Sequence, residues 1–240
     1  MIISDKNRYV FVQLPKTAST AIEKELLEHY DGKAILLKHD LYHKFLKTAT
    51  PDQRKYFVFA SVRNPMDIVA SHYYNLLQEN RLKKRTPQKH SLARRIWGTY
   101  RTKSRFDFVQ GQEGDFKTYF LRFYNAPYAN WSIVDHKRFD FIIRYEHMQE
   151  DFSELLKRLG LPQVQSIPKA NATVNKKGSF LALYTDPEVI QRAKNVFGPY
   201  FREFGYEFPA EWAGYQEGFW PGKTYPAYNA VRKLYWTRLR

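Results

Sequence analysis

The sequence contains no cysteine, which excludes disulfide bonds, thiolate metal sites and a cysteine nucleophile. It has no apolar run near the ~20 residues that a membrane-spanning helix needs, and its first residues lack the pattern of a secretion signal. A cytoplasmic location is therefore expected. Acidic residues are few, with 24 Asp and Glu against 39 Lys and Arg, and the net charge of +15 favours an anionic partner. Nucleic acid, an acidic membrane, an acidic polysaccharide and a polyphosphorylated nucleotide all fit that charge.

What the chain does contain is ample apolar sequence for a core, with 43% hydrophobic residues among 240. Apolar runs predict strands over 9–13, 34–37, 56–62 and 139–145, and helical patterns cover 18–29, 65–78, 112–124, 148–159 and 186–198. This alternation predicts an α/β fold, a single P-loop-like domain with a central, mainly parallel sheet flanked by helices. We expect that domain over 1–208, followed by an aromatic, basic extension over 209–240 that packs on it or extends from it. Ligands of such sheets bind beyond the carboxyl ends of the strands.

The first candidate site is the junction between the strand over 9–13 and the next helix, with the sequence PKTAST over 15–20. The start of a helix offers free N–H groups and a positive dipole end, and both attract an anion. Lys16 adds a charge, and the neighbouring hydroxyls add donors. The glycines of a Walker A loop are missing. Taken alone, the pattern also fits a helix start with threonine caps and a solvated lysine, and Thr20 and Glu23 have the spacing of a capping box.

The second candidate site follows the strand over 56–62. Arg63 comes directly after that strand, and Asn64-Pro65 predicts a helix start that puts Ser71 about two turns into the helix. Arg63 is able to fork onto a phosphate, and Ser71 is able to donate a hydroxyl. Alone, these residues also fit an arginine at a helix start and a small polar residue inside the helix. Two such patterns in order, each after a strand, are far more specific than either one.

The segment over 15–20 resembles the 5'-phosphosulfate-binding loop of the sulfotransferase superfamily, in the form found in Golgi-type and bacterial carbohydrate sulfotransferases, including the uronosyl 2-O-sulfotransferases. The segment over 63–71 resembles the 3'-phosphate-binding element of that superfamily. The resemblance implies sulfuryl transfer from 3'-phosphoadenosine 5'-phosphosulfate to a hydroxyl, without a metal, because Lys and Arg supply positive charge. It assigns the 5'-phosphosulfate to Pro15, Lys16, Thr17, Ala18, Ser19 and Thr20. Lys16 contacts the bridging oxygen, and Arg63 and Ser71 hold the 3'-phosphate.

A later loop extends the resemblance. Residues 174–179 fall where the family has a loop near the 3'-phosphate, which assigns Lys176, Lys177 and Gly178 to the nucleotide. A Lys-Lys-Gly turn suits an anion, although it departs from the Arg-Lys-Gly form of the cytosolic enzymes.

The resemblance also implies a histidine base between the two motifs. His39 is our choice, because a pKa near neutrality suits removal of a hydroxyl proton. His43 and then His72 are the alternatives, followed by Glu23 and Asp40. Lys16 is the other catalytic residue, because its charge neutralises the leaving phosphate oxygen.

The expected acceptor is a glycan or glycolipid, anionic ones included, and no nucleic-acid partner is expected. Residues 81–105 hold ten Lys or Arg and no acidic residue, with Trp97 and Tyr100 available for stacking on a sugar; a solvated loop, or an arm that contacts a membrane or partner, also fits. Two other functions stay open. A polyanion- or nucleic-acid-binding protein without catalysis explains the charge but not the two nucleotide motifs. A nucleotide kinase with a degenerate phosphate loop lacks a clear acidic residue for Mg²⁺.

Overall fold

The computed structural model of the chain describes residues 1–78, 103–111, 114–130, 134–167 and 179–239. The chain forms two compact units. The first consists of Met1–Asn64, Ala129–Ala172 and Pro226–Arg240, and the second consists of Pro65–Tyr128 and Thr173–Tyr225. The expected division into a domain over 1–208 and an extension over 209–240 stays a prediction.

The first unit is built on a mixed, five-stranded sheet. Its strands are β1 (Ile2–Ser4), β2 (Tyr9–Val12), β3 (Lys33–Ala34), β4 (Phe57–Val62) and β5 (Phe141–Arg144), in the order β3-β1-β2-β4-β5. The pairs β2–β4 and β4–β5 are parallel, whereas β1 is antiparallel to β2 and β3. The predicted α/β class is confirmed. The strands β2, β4 and β5 all end at one side of the sheet, which we call the carboxyl edge.

The core of the first unit joins the sheet to helices α1 (Ser19–His29) and α6 (Met148–Arg158). All four residues of β2 are buried, as are five of the six in β4, which is why these strands are apolar throughout instead of alternating. Phe11 and Phe59 stack across the two strands with ring centroids 5.0 Å apart. A short helix, α2 (Tyr42–Thr48), follows β3. This packing holds β2 and β4 in register, and therefore fixes where their carboxyl ends lie.

The described part of the second unit contains helices joined by loops. It contains α3 (Pro65–Leu77), α4 (helical over 103–110), α5 (Phe116–Phe123) and α7 (Pro187–Phe204), and α8 (Phe219–Leu234) begins in this unit and ends in the first. Aromatic rings join α5 to α7, with Phe120 and Phe197 5.8 Å apart. The buried Tyr184 hydroxyl donates to the Met66 carbonyl of α3 at 3.0 Å. Within the described ranges, no helix is both long and apolar enough to cross a membrane.

The prediction that the helix over 186–198 ends near Gly198-Pro199 is wrong. The helix α7 continues through Pro199 to Phe204 and ends at Gly205, which has a φ of 68°. A proline inside a helix costs about 3 kcal/mol. Ring packing on the far side of the proline offsets that cost, since Phe201 lies 4.3 Å from Phe208 and Tyr200 lies 4.4 Å from Phe204.

Two further predictions from the sequence, both near the candidate site, are also wrong. The strand predicted over 34–37 ends at Ala34, because Leu36 has a φ of 57° and Leu37 is 75% exposed instead of buried. The capping box of Thr20 and Glu23 does not form, because the N-cap of α1 is Ala18 and Glu23 pairs with Lys38. Sequence patterns also missed β1, α2, α4 and α8.

Candidate active site

The loop between β2 and α1 has the backbone of an anion site without using glycine. Lys16 and Ala18 have φ values of 69° and 58°, with Thr17 between them at negative φ. Such alternation turns successive N–H groups toward one concavity. Ala18 is also the N-cap of α1 and provides no side-chain acceptor for the N–H groups of the first turn. Asp residues cap α5 and α7 in the same chain, so the start of α1 is the one among these three that suits an external anion.

Positive φ at Ala18 leads to a stability prediction. A left-handed alanine costs about 1–2 kcal/mol, whereas a glycine loses about 0.5–1 kcal/mol more conformational freedom on folding. We therefore expect Ala18→Gly to stabilise the protein by about 0.5–1 kcal/mol. Thermal unfolding measures the change. The matched control is Ala21→Gly, inside α1, which is expected to destabilise by about 1 kcal/mol or more. Equal destabilisation by both substitutions would show that Ala18 carries no backbone strain.

Thr17 fixes this loop to the neighbouring strand. Its hydroxyl donates to the Leu14 carbonyl at 3.0 Å and lies 2.7 Å from the Ser61 hydroxyl of β4. Because the Thr17 proton points to Leu14, Ser61 is the donor in the second bond. Both side chains are buried, at 2% and 1% exposure. The Thr17 hydroxyl therefore holds the loop in place, and Ser61, which sequence reasoning missed, is the anchor.

The other assigned residues of the loop differ in exposure. Lys16 and Thr20 are exposed, Pro15 and Ala18 are half-buried, and Ser19 is buried at the first position of α1. The exposed ammonium of Lys16 thus lies in the same short segment as the N–H groups of the helix start. A charge and several backbone donors converge here, as an anionic group requires.

Arg63 leaves β4 at the carboxyl edge, next to the loop. Val12 pairs with Ala60 in parallel register, so Lys16 and Arg63 follow neighbouring strands on the same side of the sheet. The guanidinium of Arg63 lies 4.3 Å from the ring centroid of Tyr145, the first residue after β5. Stacking on an aromatic face restricts the plane of the guanidinium.

Residues after β5 support Arg63 through the backbone as well. The Asn64 N–H donates to Glu146 Oε1 at 2.7 Å, which ties the end of β4 to the turn after β5. The sequence pattern placed Tyr145 at the end of a predicted strand and assigned Glu146 no role in the site. The structure gives them a more specific position, because they hold the backbone and side chain at Arg63.

His39 reaches the end of β2 from the loop between β3 and α2. Its Nδ1 lies 3.0 Å from the backbone carbonyl of Gln13, two residues before Pro15. A carbonyl only accepts, so Nδ1 carries the proton, and a neutral ring then has its lone pair on Nε2. Burial lowers the pKa of His39 below its usual value; the Gln13 carbonyl opposes that change and the nearby Lys38 charge adds to it. A neutral imidazole at this position is a competent base at neutral pH.

The residues on either side of His39 hold the loop on two other elements. Lys38 donates to the Thr20 hydroxyl at 3.0 Å and forms an ion pair with Glu23 of α1. Asp40 accepts from Lys44 of α2 at 2.6 Å. His39 itself has a strained φ of 68°, which these contacts on both sides maintain. The loop therefore fixes His39 relative to α1, whose start is the candidate anion site.

The other proposed bases are less well arranged. Glu23 is paired with Lys38, and Asp40 accepts from both Lys44 and the Leu37 N–H. Burial lowers the pKa of His43, but its Nδ1 is buried and has no hydrogen-bond partner among the described residues. His72 lies on α3 in the second unit. Of the candidates in the first unit, only His39 combines a fixed tautomer with contact to the end of β2.

Some assigned residues are not tested by this geometry. Ser71 lies on α3 in the second unit and is 4% exposed; its assignment to the 3'-phosphate stays a prediction. Lys176, Lys177 and Gly178 lie outside the described residues, as do Trp97, Tyr100 and all but 103–105 of the basic segment over 81–105.

Comparisons with known proteins agree with the motifs. The model of the sulfotransferase family matches residues 1–207. Carbohydrate sulfotransferase 14 of Danio rerio is 26% identical over 237 residues, which cover 87% of this chain and 62% of that protein. The chain thus spans less than two thirds of the length of this relative. No solved structure matches the chain.

Proposed function

Because the chain belongs to the sulfotransferase family, we propose that it transfers a sulfuryl group from 3'-phosphoadenosine 5'-phosphosulfate to a hydroxyl of a carbohydrate. One observation carries the proposal. Two cations, Lys16 and Arg63, leave adjacent parallel strands at the carboxyl edge, and His39 is hydrogen-bonded to Gln13 just beyond the end of β2. An anion-binding loop, a second cation and a base thus occur together in the first unit.

The donor is a nucleotide with anionic groups at both ends, and the loop over 15–20 suits the sulfated 5' end. The N-terminus of α1 has no side-chain cap of its own, so its N–H groups are suited to the oxygens of the 5'-phosphosulfate. Lys16 supplies a positive charge within the same loop. Arg63, whose guanidinium lies over the ring of Tyr145, is suited to the 3'-phosphate, as the family motif implies. The positive charge of these side chains fits the anionic groups of the nucleotide.

The proposed transfer is an in-line displacement at sulfur. The donor supplies an activated sulfuryl group whose loss leaves a phosphate oxygen as leaving group. His39 Nε2 takes the acceptor's hydroxyl proton, the acceptor oxygen forms the new O–S bond, and the S–O bond to phosphate breaks with its electron pair on the phosphate oxygen. Lys16 stabilises the negative charge that develops on that oxygen. The loop N–H groups hold the equatorial oxygens, in analogy with phosphoryl transfer.

A carbohydrate acceptor is proposed from two independent features. The Danio rerio relative is named as a carbohydrate sulfotransferase, and the net charge of +15 favours an anionic glycan among carbohydrates. Transfer of labelled sulfuryl from the donor to a panel of desulfated glycosaminoglycans and neutral oligosaccharides tests this acceptor class. Transfer to non-sugar alcohols only would contradict it.

Donor binding is tested separately, by calorimetric titration with adenosine 3',5'-bisphosphate, the product nucleotide. We expect Arg63→Ala to weaken binding by about 10- to 100-fold, because a charge-assisted hydrogen bond contributes about 1.5–3 kcal/mol. Arg8→Ala is the matched control. Arg8 also lies over a tyrosine, 4.9 Å from the Tyr56 centroid, but it precedes β2 at the opposite end of the sheet.

Equal affinity in wild type and the Arg63 variant would contradict the assignment of Arg63. If the wild-type protein bound nucleic acid at physiological salt but did not bind the bisphosphate, the binding protein without catalysis would become the better interpretation.

A further inference from the structure

Helix α8 exposes apolar side chains along one face instead of burying them. Trp220 is 73% exposed, Val231 68% and Leu234 50%. Spacings of eight, three and three residues put Trp220, Tyr228, Val231 and Leu234 on one side of the helix, and Tyr235 follows directly after the end of the helix. We call these five side chains the outer face of α8. Each of them is at least 47% exposed.

The side of α8 away from the outer face is more polar and less exposed. Tyr225 is 6% exposed, and Asn229 and Arg232, four and seven residues later, are half-buried. A surface helix ordinarily buries its apolar stripe and exposes its polar one. Helix α8 does the reverse over about four turns, and an apolar patch of this kind marks a binding surface.

Charge identifies the partner that fits this face. After Glu217 the sequence contains no acidic residue and five basic ones: Lys223, Arg232, Lys233, Arg238 and Arg240. A second copy of the chain would bring like charges together, which opposes pairing. Val231 and Leu234 do not stack on sugar rings as the aromatic side chains of the outer face would, so a sugar accounts for only part of this face. Trp, Tyr and aliphatic side chains on a helix with Lys and Arg are typical of helices that lie in the interface of an anionic bilayer.

We propose that the outer face of α8 binds the surface of an anionic lipid bilayer, with the helix lying in the interface. The aromatic and aliphatic side chains enter the headgroup boundary, while the exposed Lys223 and Lys233 contact acidic headgroups. This attachment is independent of the proposed sulfuryl transfer, because none of the five side chains belongs to the loop over 15–20 or to the residues around Arg63.

Sedimentation of the full chain with lipid vesicles tests the proposal. The probes are phosphatidylcholine vesicles with and without phosphatidylserine. We expect binding to the mixed vesicles, weakening with added salt, and little binding to phosphatidylcholine alone. The triple variant Trp220→Ser, Val231→Ser, Leu234→Ser is expected to reduce partition at least tenfold, since each buried side chain contributes about 1.5–3 kcal/mol.

The matched control replaces exposed apolar residues elsewhere in the first unit, Leu27→Ser and Val164→Ser, which are 42% and 58% exposed. It is expected to bind vesicles like wild type. The bisphosphate titration reports folding of all variants and separates this proposal from the proposed enzyme activity. Unchanged partition of the triple variant would overturn the proposal. The proposal would also be overturned if the wild-type protein did not bind vesicles but formed a dimer, or bound heparin, through the outer face.

Discussion

Replacing Lys16 with alanine is expected to lower turnover by about 100- to 1000-fold, the usual cost of losing one preorganised stabiliser of transition-state charge. Lys16 lies in the loop that precedes α1, where it adds the full charge of an ammonium to the partial charge of the helix start. The negative charge on the leaving phosphate oxygen is larger in the transition state than in the bound donor. The loss is therefore expected mainly in kcat, with a smaller effect on affinity for adenosine 3',5'-bisphosphate. Transfer of labelled sulfuryl to the best glycan of the panel measures it.

The controls for Lys16 address backbone and charge separately. Lys16 has a φ of 69°, so Lys16→Gly removes the same ammonium while relieving strain, and its loss of turnover should match that of Lys16→Ala. Lys24→Ala removes an equally basic side chain from the middle of α1, where Lys24 is 65% exposed and near Glu28. We expect that variant to retain wild-type turnover. Near wild-type turnover in both Lys16 variants would remove Lys16 from the mechanism.

Local sequence was sufficient to predict the elements that carry the anion site. The apolar runs of β2 and β4 are continuous because both faces are buried, and Pro65 correctly marked the start of α3. The order strand, loop, helix then put Lys16 and Arg63 at strand ends. Neighbouring parallel strands follow from the α/β class, so the common edge was predictable as well.

Contacts between residues distant in sequence were not predictable in the same way. The hydrogen bond of Thr17 with Ser61 spans 44 positions, and that of His39 with Gln13 spans 26. The stacking of Arg63 on Tyr145 depends on the pairing of β4 with β5. No periodicity records these partners, because they are set by strand register. The prediction of a strand over 34–37 was wrong for a related reason. It assumed that apolar residues are buried, but the side chains of Leu36 and Leu37 are exposed in a turn beside His39.

Helix α8 was missed because its apolar residues do not follow the core. Sequence patterns detect a helix by assuming that its apolar stripe is buried, and in α8 Trp220 and Val231 are exposed while Tyr225 is buried. Two prolines, Pro221 and Pro226, weaken the signal further. The exposure of the apolar residues of α8 thus explains why sequence periodicity missed the helix, and the same exposure suggests a lipid-binding face.

Removing the imidazole of His39 is expected to lower kcat by about 100- to 10,000-fold, the usual contribution of a positioned general base. The informative variant is His39→Gly, because a residue with a φ of 68° accepts glycine without strain. The cavity left by the side chain admits imidazole, and added imidazole is expected to restore part of the activity. Donor affinity should stay near wild type, since His39 is hydrogen-bonded to the backbone of Gln13, outside the loop over 15–20.

The pH profile distinguishes a base from a residue that only supports the loop. A base acts in its neutral form, and burial lowers the pKa of His39 below the usual 6.5. Wild-type kcat/KM should therefore rise with pH through that lowered pKa, in the range below pH 6.5, and stay level through neutrality. His39→Gly should lose this acid limb, whereas His43→Ala, which removes the neighbouring histidine of α2, should keep it. An unchanged acid limb in His39→Gly, together with its loss in His43→Ala, would assign the base to His43, because only the group that accepts the proton imposes its own titration on the rate.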